Sequence, residues 1–140
     1  MKIIGLQGRA RCGKTTTLKM LIRHLQRLSE WTLIHSATPL DESTDWQVCF
    51  KTGRKKFAVC TGGDPGENYI NVRDNGEYAC SHNADALVTA CRTRGSTVDD
   101  VIKLAGSTEP IFIPKSCHDD IARHVGLNKR DMDKILTHLP

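Results

Sequence analysis

Gly8-Arg9-Ala10-Arg11-Cys12-Gly13-Lys14-Thr15 decides how the rest of this chain is read. The stretch fits G-x-x-x-x-G-K followed by Ser or Thr, a loop whose backbone N–H groups cradle phosphates. Its surroundings matter more than the string. Lys2-Ile3-Ile4-Gly5-Leu6-Gln7 before it is a short apolar run that reads as a buried strand. After it, Leu18, Leu21, Ile22, Leu25 and Leu28 recur at helical spacing, which predicts an amphipathic helix from Thr15 to about Ser29. Strand, glycine loop and helix in that order are what a phosphate cradle needs.

The chemistry follows from the geometry. Gly8 and Gly13 allow backbone conformations and close approach that a Cβ would hinder. The loop's N–H groups and the positive end of the next helix then face a polyphosphate. Gly8, Arg9, Ala10, Arg11, Cys12, Gly13, Lys14, Thr15 and Thr16 are therefore the expected nucleotide-binding residues. Lys14 is expected to bridge β- and γ-phosphate oxygens, and the Thr15 hydroxyl to ligate Mg²⁺ beside them.

Working outward, the 140 residues suit one domain, residues 1–140, with little chain to spare for a lid or substrate subdomain. No run approaches the roughly twenty apolar residues of a membrane span. The N-terminus leads straight into a strand without a signal-peptide pattern, so a cytoplasmic protein is expected. A reducing compartment leaves the six cysteines as thiols. Cys49, Cys60 and Cys91 fall within apparent strands, where a thiol acts as a small hydrophobe. Cys80-Ser81-His82 and Cys117-His118 lack zinc-finger spacing. Cys12 sits among cations near a helix N-terminus, conditions that favour thiolate, although a filler of a tolerant loop position explains it as well. The net charge is only +4, and Arg9, Arg11, Lys14, Arg92 and Arg94 can serve one anionic ligand. A second basic run, Lys51-Thr52-Gly53-Arg54-Lys55-Lys56, lacks the aromatic platform of a nucleic-acid binder and reads as a solvated hairpin tip.

Along the chain, Trp31–His35 reads as a second strand and residues 36–43 as a loop carrying Pro39, Asp41 and Glu42. Trp46–Phe50 and Lys56–Cys60 form a hairpin with a bulged or longer turn at Gly53. A glycine-rich loop follows, Thr61-Gly62-Gly63-Asp64-Pro65-Gly66. Asp74 is the expected cap of a short helix that Gly76 weakens. Ala86–Cys91 reads as a buried strand ending in Arg92-Thr93-Arg94-Gly95. Ser96-Thr97-Val98-Asp99 reads as a capping box opening a helix that buries Val98, Val101, Ile102 and Ala105 and ends at Gly106. Pro110–Pro114 is the last strand, and the tail reads as two short helices broken at Gly126, the second capped by Asn128–Asp131. This alternation predicts a three-layer α/β/α sandwich around a mostly parallel sheet with a β-hairpin. Ligands of such sheets bind beyond the carboxyl ends of the strands, so the loops at 8–16, 62–66 and 92–95 are expected to converge.

Residues 1–30 resemble the P-loop NTPase superfamily through this motif and its context. Beyond them the layout is similar to the compact kinase and small-GTPase branch: a hairpin into an acidic glycine loop, then strand, helix and strand. The resemblance implies that a carboxylate after the third strand orders the Mg²⁺ shell. Asp64 is the match, displaced by Thr61, Gly62 and Gly63; Asp41 and Glu42 compete for the role, and Gly62 or Gly63 can instead offer a backbone N–H to the γ-phosphate. No Asn-Lys-x-Asp follows the Ala86–Cys91 strand, so ATP rather than GTP is expected. Arg92 and Arg94, at the end of a strand beside the loop, are candidates for stabilising the transferring phosphoryl group; the competing reading leaves both as solvated loop residues. The resulting expectation is an Mg²⁺-dependent NTP-binding protein, a hydrolase or phosphoryl transferase with Lys14, Arg92 and Arg94 in the chemistry. A small-molecule or nucleotide kinase, and a low-turnover switch acting through a protein partner or a second copy, are the alternatives.

Overall fold

The computed structural model describes residues 1–63, 70–118 and 120–139. Six strands form one sheet: β1 (Lys2–Gln7), β2 (Thr32–Ser36), β3 (Gln47–Thr52), β4 (Lys55–Cys60), β5 (Ala86–Cys91) and β6 (Ile111–Pro114), ordered β2-β3-β4-β5-β1-β6. The four strands from β4 to β6 run parallel, while β2 and β3 pair antiparallel as an appended meander. The helices among the described residues are α1 (Lys14–Gln26), α2 (Val72–Ser81), α3 (Ser96–Ala105) and α4 (His124–Leu136), the last entered through a 3-10 turn at Ile121–Arg123.

The period-two alternation of strand side chains sorts the core into two layers. Ile4 and Leu6 of β1, Phe57 and Val59 of β4, and Ala86, Val88 and Ala90 of β5 join Leu18, Leu21, Ile22 and Leu25 of α1 and Met132 and Ile135 of α4. Their neighbours Ile3, Ala58, Cys60, Leu87 and Cys91 pack instead with Val72, Tyr78 and Ala79 of α2 and Val101 and Ala105 of α3. All six residues of β5 are buried, as a parallel strand covered on both faces requires.

Local departures from the sequence reading have physical causes. Helix α1 ends at Gln26 because Arg27 and Leu28 donate to the carbonyls of His24 and Leu25, three residues back, tightening the last turn. The hairpin turn is a tight pair, Gly53-Arg54, between the partners Thr52 and Lys55. Gly53 alone supplies the positive φ (55°) of a II′ turn, so the longer turn is not needed. The cap of α2 is Asn71: its side chain accepts from Asp74 N, and Asp74 reaches back to Asn71 N. Asp74 is thus the second half of the box. Gly76 is compatible with that helix because a Cβ there would overlap the Leu104 side chain of α3.

The capping box expected at Ser96 does not form. Gly95 takes the cap position with φ 93° and no side-chain cap, and the Thr97 hydroxyl accepts from Arg92 N instead (2.8 Å). Ile102 is half-exposed, and Leu104 packs against the core in its place. The tail is not broken at Gly126, where α4 runs straight through. A mid-helix glycine costs only about 1 kcal/mol, and packing of Asn128, Asp131, Met132 and Ile135 outweighs it.

Candidate functional site

The glycine loop leaves the end of β1 and is anchored at once, Gly8 N donating to Cys91 O of β5 (3.1 Å). It turns through two left-handed residues, Arg11 (φ 59°) and Gly13 (φ 91°). Arginine is not favoured there, since the left-handed region crowds a Cβ, and local strain of this kind gathers at functional loops. Helix α1 then starts without a side-chain cap, leaving its first N–H groups to the loop and whatever the loop encloses. Lys14 is buried. Its ammonium donates to the carbonyls of Gly8 (2.5 Å) and Arg9 (3.0 Å), so the charge is held at the loop itself.

Of the three loops expected to converge, 8–16 and 92–95 meet around one cavity; of 62–66 only Gly62 and Gly63 lie within the described residues, and the preceding Thr61 is what meets the glycine loop. Thr15 Oγ1 donates to Thr61 O (3.3 Å), joining the start of α1 to the segment after β4. Arg92 and Arg94 follow β5, the strand bonded directly to β1. Among the described residues two cavities flank the loop. The first, about 530 Å³, is lined by Arg11 to Thr16 together with Ile121, His124, Val125 and Asn128. The second, about 420 Å³, is lined by Arg9, Arg92, Arg94 and the start of α3 from Gly95 to Thr97. Arg92 and Arg94 therefore share a cavity with Arg9, while Lys14, Thr15 and Thr16 line the other. Ala10 is exposed at the crest between them.

The carboxylates separate. Asp64 lies outside the described residues. Asp41 accepts from the backbone N and hydroxyl of Ser43 (both 2.8 Å), and these bonds hold its pKa below the usual carboxylate value. Glu42 pairs with Arg23 of α1, and its carbonyl accepts from Lys19 (3.0 Å). Arg23 lies eight residues beyond Thr15, about 12 Å along the helix, so this loop is strapped to the flank of α1. Asp45 comes closer: it accepts from Thr61 Oγ1 (3.3 Å), and Thr61 O is the partner of Thr15. Among the described residues no group of three or more His, Cys, Asp or Glu side chains could hold a metal. Among the described residues the Thr15 hydroxyl and, through Thr61, the Asp45 carboxylate are oxygen donors of the kind a hard cation that keeps several waters takes.

Sequence reasoning missed the floor of the loop. Lys115, directly after β6, has its Cβ 3.0 Å from where a Gly8 Cβ would lie, which explains the glycine by close approach. Lys115 Nζ pairs with Asp131 of α4 (3.0 Å), both side chains nearly fully buried. Ser116 completes the set, its N and Oγ donating to the two Asp131 oxygens (2.7 and 2.9 Å). The polar residues Asn128 and Asp131 on the buried side of α4 were the available signal.

Cys12 is bonded to Cys117, their Cα atoms 5.6 Å apart, within ordinary disulfide range. This corrects the expectation of six thiols, and with it goes the cysteine argument for a cytoplasmic location. The two sulfurs meet because the glycine loop and the segment after β6 leave neighbouring strands. No helix among the described residues is long and apolar enough to cross a membrane. The remaining cysteines differ in access: Cys80 is exposed, and Cys49, Cys60 and Cys91 are buried. Burial pushes the Cys91 thiol up to about 11, with Lys14 opposing the shift, and raises Cys49 and Cys60 as well. Iodoacetamide at neutral pH is therefore expected to label Cys80 in the native protein, and Cys49, Cys60 and Cys91 only on denaturation. Cys12 and Cys117 should label only after reduction; mass spectrometry showing labelled Cys12 without reductant would remove the bridge. No protein-family model, curated protein or solved structure matches the chain significantly.

Proposed function

We propose that the chain binds Mg²⁺–NTP, with ATP as the nucleotide, at the Gly8–Thr16 loop, and hydrolyses it or transfers its γ-phosphoryl group. The reading rests on its resemblance to P-loop NTPases in the motif. One observation carries it furthest: a buried lysine ammonium held at the mouth of a glycine loop that opens into a helix without a side-chain cap. Backbone N–H groups of Gly8 to Thr15 would face the phosphates, and the α1 dipole adds positive potential there. Lys14 would exchange a contact to a neutral carbonyl for an ion pair with an anionic phosphate oxygen. Ile121 and Val125, both largely exposed on the wall of the first cavity, give the base an apolar surface. Mg²⁺, when bound, would supply neutralisation of the phosphate charge. Thr15 would hold it, with Asp64 or Asp45 orienting its waters. Arg92 and Arg94 line the second cavity and would stabilise a γ-phosphoryl group transferred toward it.

The second cavity favours phosphoryl transfer to an acceptor over simple hydrolysis, which would make the chain a small kinase. An ATP-dependent role also keeps the cytoplasm as the proposed location, where the exposed Cys117 would leave the bridge open to reduction. Calorimetric titration with Mg²⁺–ATP tests the binding step. Because Lys14 is buried, Lys14→Met is the sharper variant: it keeps an apolar stem and removes the charge. It is expected to weaken Mg²⁺–ATP at least about tenfold, the loss of one charge-assisted hydrogen bond. Wild-type protein that binds no NTP, or a variant with unchanged affinity for every NTP, would end the assignment.

A further inference from the structure

We propose that the cavity walled by Arg9, Arg92 and Arg94 is a second anion site that takes the phosphomonoester group of an acceptor molecule. The proposal rests on the nucleotide reading of the neighbouring loop for the word acceptor, and on nothing but its own lining for the word anion. Three guanidinium-bearing residues from two different loops line this one space, with the α3 start as its remaining wall. The helix terminus is not by itself the argument, since the arginines come from the β1 and β5 exits. They have been brought there by backbone: Gly8 N is bonded to Cys91 O, so the residues one step further on each strand, Arg9 and Arg92, emerge side by side. Thr97 fixes the second of them by accepting from Arg92 N, leaving α3 with Gly95 as a cap that has no side chain.

The composition of the two cavities divides their tasks. The first has Ile121 and Val125 on its wall and can cover an apolar ring. Among the described residues the second is lined by Arg, Thr, Ser and Gly, none of which offers a ring an apolar face. A phosphomonoester suits it better than a carboxylate, having nearly two charges and three acceptor oxygens at neutral pH where a carboxylate has one charge and two oxygens. Planar guanidinium forks match such oxygens in pairs. The cavity's volume lies at the lower end of small-molecule sites. With an acceptor seated there, transfer breaks the bond between the γ-phosphorus and the β–γ bridging oxygen and forms one to an acceptor oxygen. The nucleoside diphosphate leaves with that bridging oxygen, and the acceptor's proton goes to water.

The test uses the full ¹⁵N-labelled chain, titrated with inorganic phosphate and, in parallel arms at equal ionic strength, with acetate and chloride. Each arm is run with and without a saturating non-hydrolysable ATP analogue and Mg²⁺. The expected result is saturable shifts of the Gly95, Ser96 and Thr97 amides with phosphate, in analogue-loaded and analogue-free protein alike. Acetate should act at least several-fold more weakly. R92A/R94A should weaken the phosphate response about tenfold or more, and because Arg94 is exposed, R94A alone carries the test if R92A costs folding. A saturable phosphate response in protein that never binds the analogue keeps the anion site and sinks the nucleotide reading. Analogue binding without a saturable response at Gly95–Thr97 overturns the proposal. Equal shifts with all three salts, or shifts concentrated at Lys51–Lys56, overturn it too, since they report a general basic surface.

Discussion

Asp131→Ala is expected to destabilise the protein by about 3–5 kcal/mol, because it strands a buried ammonium and two further donors at once. Lys115 and Asp131 have side chains 1% and 0% exposed, so neither water nor salt can replace the lost partner. Among the described residues Lys115 would keep the Ser116 carbonyl (2.6 Å), and the Ser116 N and hydroxyl would lose both Asp131 acceptors. Lys134, 3.9 Å from Asp131 on the exposed side of α4, contributes little, as surface pairs do. Urea unfolding monitored by circular dichroism measures the loss. The double variant Lys115→Met/Asp131→Leu should recover the share due to the stranded ammonium, since a buried pair replaced by apolar side chains of similar volume is often neutral or better, but not the share due to the two Ser116 donors. The double variant also probes the loop: Lys115 lies against Gly8 and Gly13, so a change in anion affinity without a change in stability would show that this floor positions the loop. A loss under about 1 kcal/mol for Asp131→Ala would mean that the pair is hydrated and that α4 is not docked beneath the loop as described.

What was legible in the chain were features with local causes. The β5 boundaries at Ala86 and Cys91 were readable because an unbroken apolar run needs only two covered faces, and α1 because five apolar residues repeat at helical spacing. The turn between β1 and α1 was readable because Gly8 and Gly13 stand between an apolar run and a helical repeat. What was not legible depends on partners distant in sequence. Lys115 and Asp131 are ordinary surface residue types until β6 and α4 bring them together. Cys12 and Cys117 are 105 residues apart, and nothing local marks them as a pair. Nothing local singles out Asp45, yet the antiparallel meander carries it to Thr61. Nothing local singles out Asn75 within its helix either; its amide donates to Gly62 O and Thr89 Oγ1 (2.8 and 2.9 Å) and ties α2 to the segment after β4. The Ser96 box failed for the converse reason: its local signal was real, but the turn after β5 claimed the Thr97 hydroxyl for Arg92.

Gly63→Ala is the substitution expected to separate packing from phosphate binding in that same segment. The chain after β4 crosses the end of β5 so closely that a Cβ on Gly63 would overlap the Ala90 carbonyl. Backbone cannot rotate out of the way as a side chain can, so one of the two strands must move. The expected cost is at least about 3 kcal/mol, at the upper end for overpacking. Gly53→Ala is the control: nothing lies within 4 Å of its Cβ position, and only its φ of 55° opposes substitution, worth about 1–2 kcal/mol. A role for Gly63 as a backbone donor to the γ-phosphate makes the opposite demand, because alanine keeps the N–H. If the glycine served only that role, Gly63→Ala would fold normally and bind Mg²⁺–ATP as the wild type does. The crossing at Ala90 requires instead that stability falls first. Thermal unfolding with and without Mg²⁺–ATP reads the two apart: a large drop in Tm in the absence of nucleotide supports the crossing. Wild-type Tm would show that the β4 exit does not press on β5, and the route by which Thr61 reaches Thr15 would then have to be redrawn.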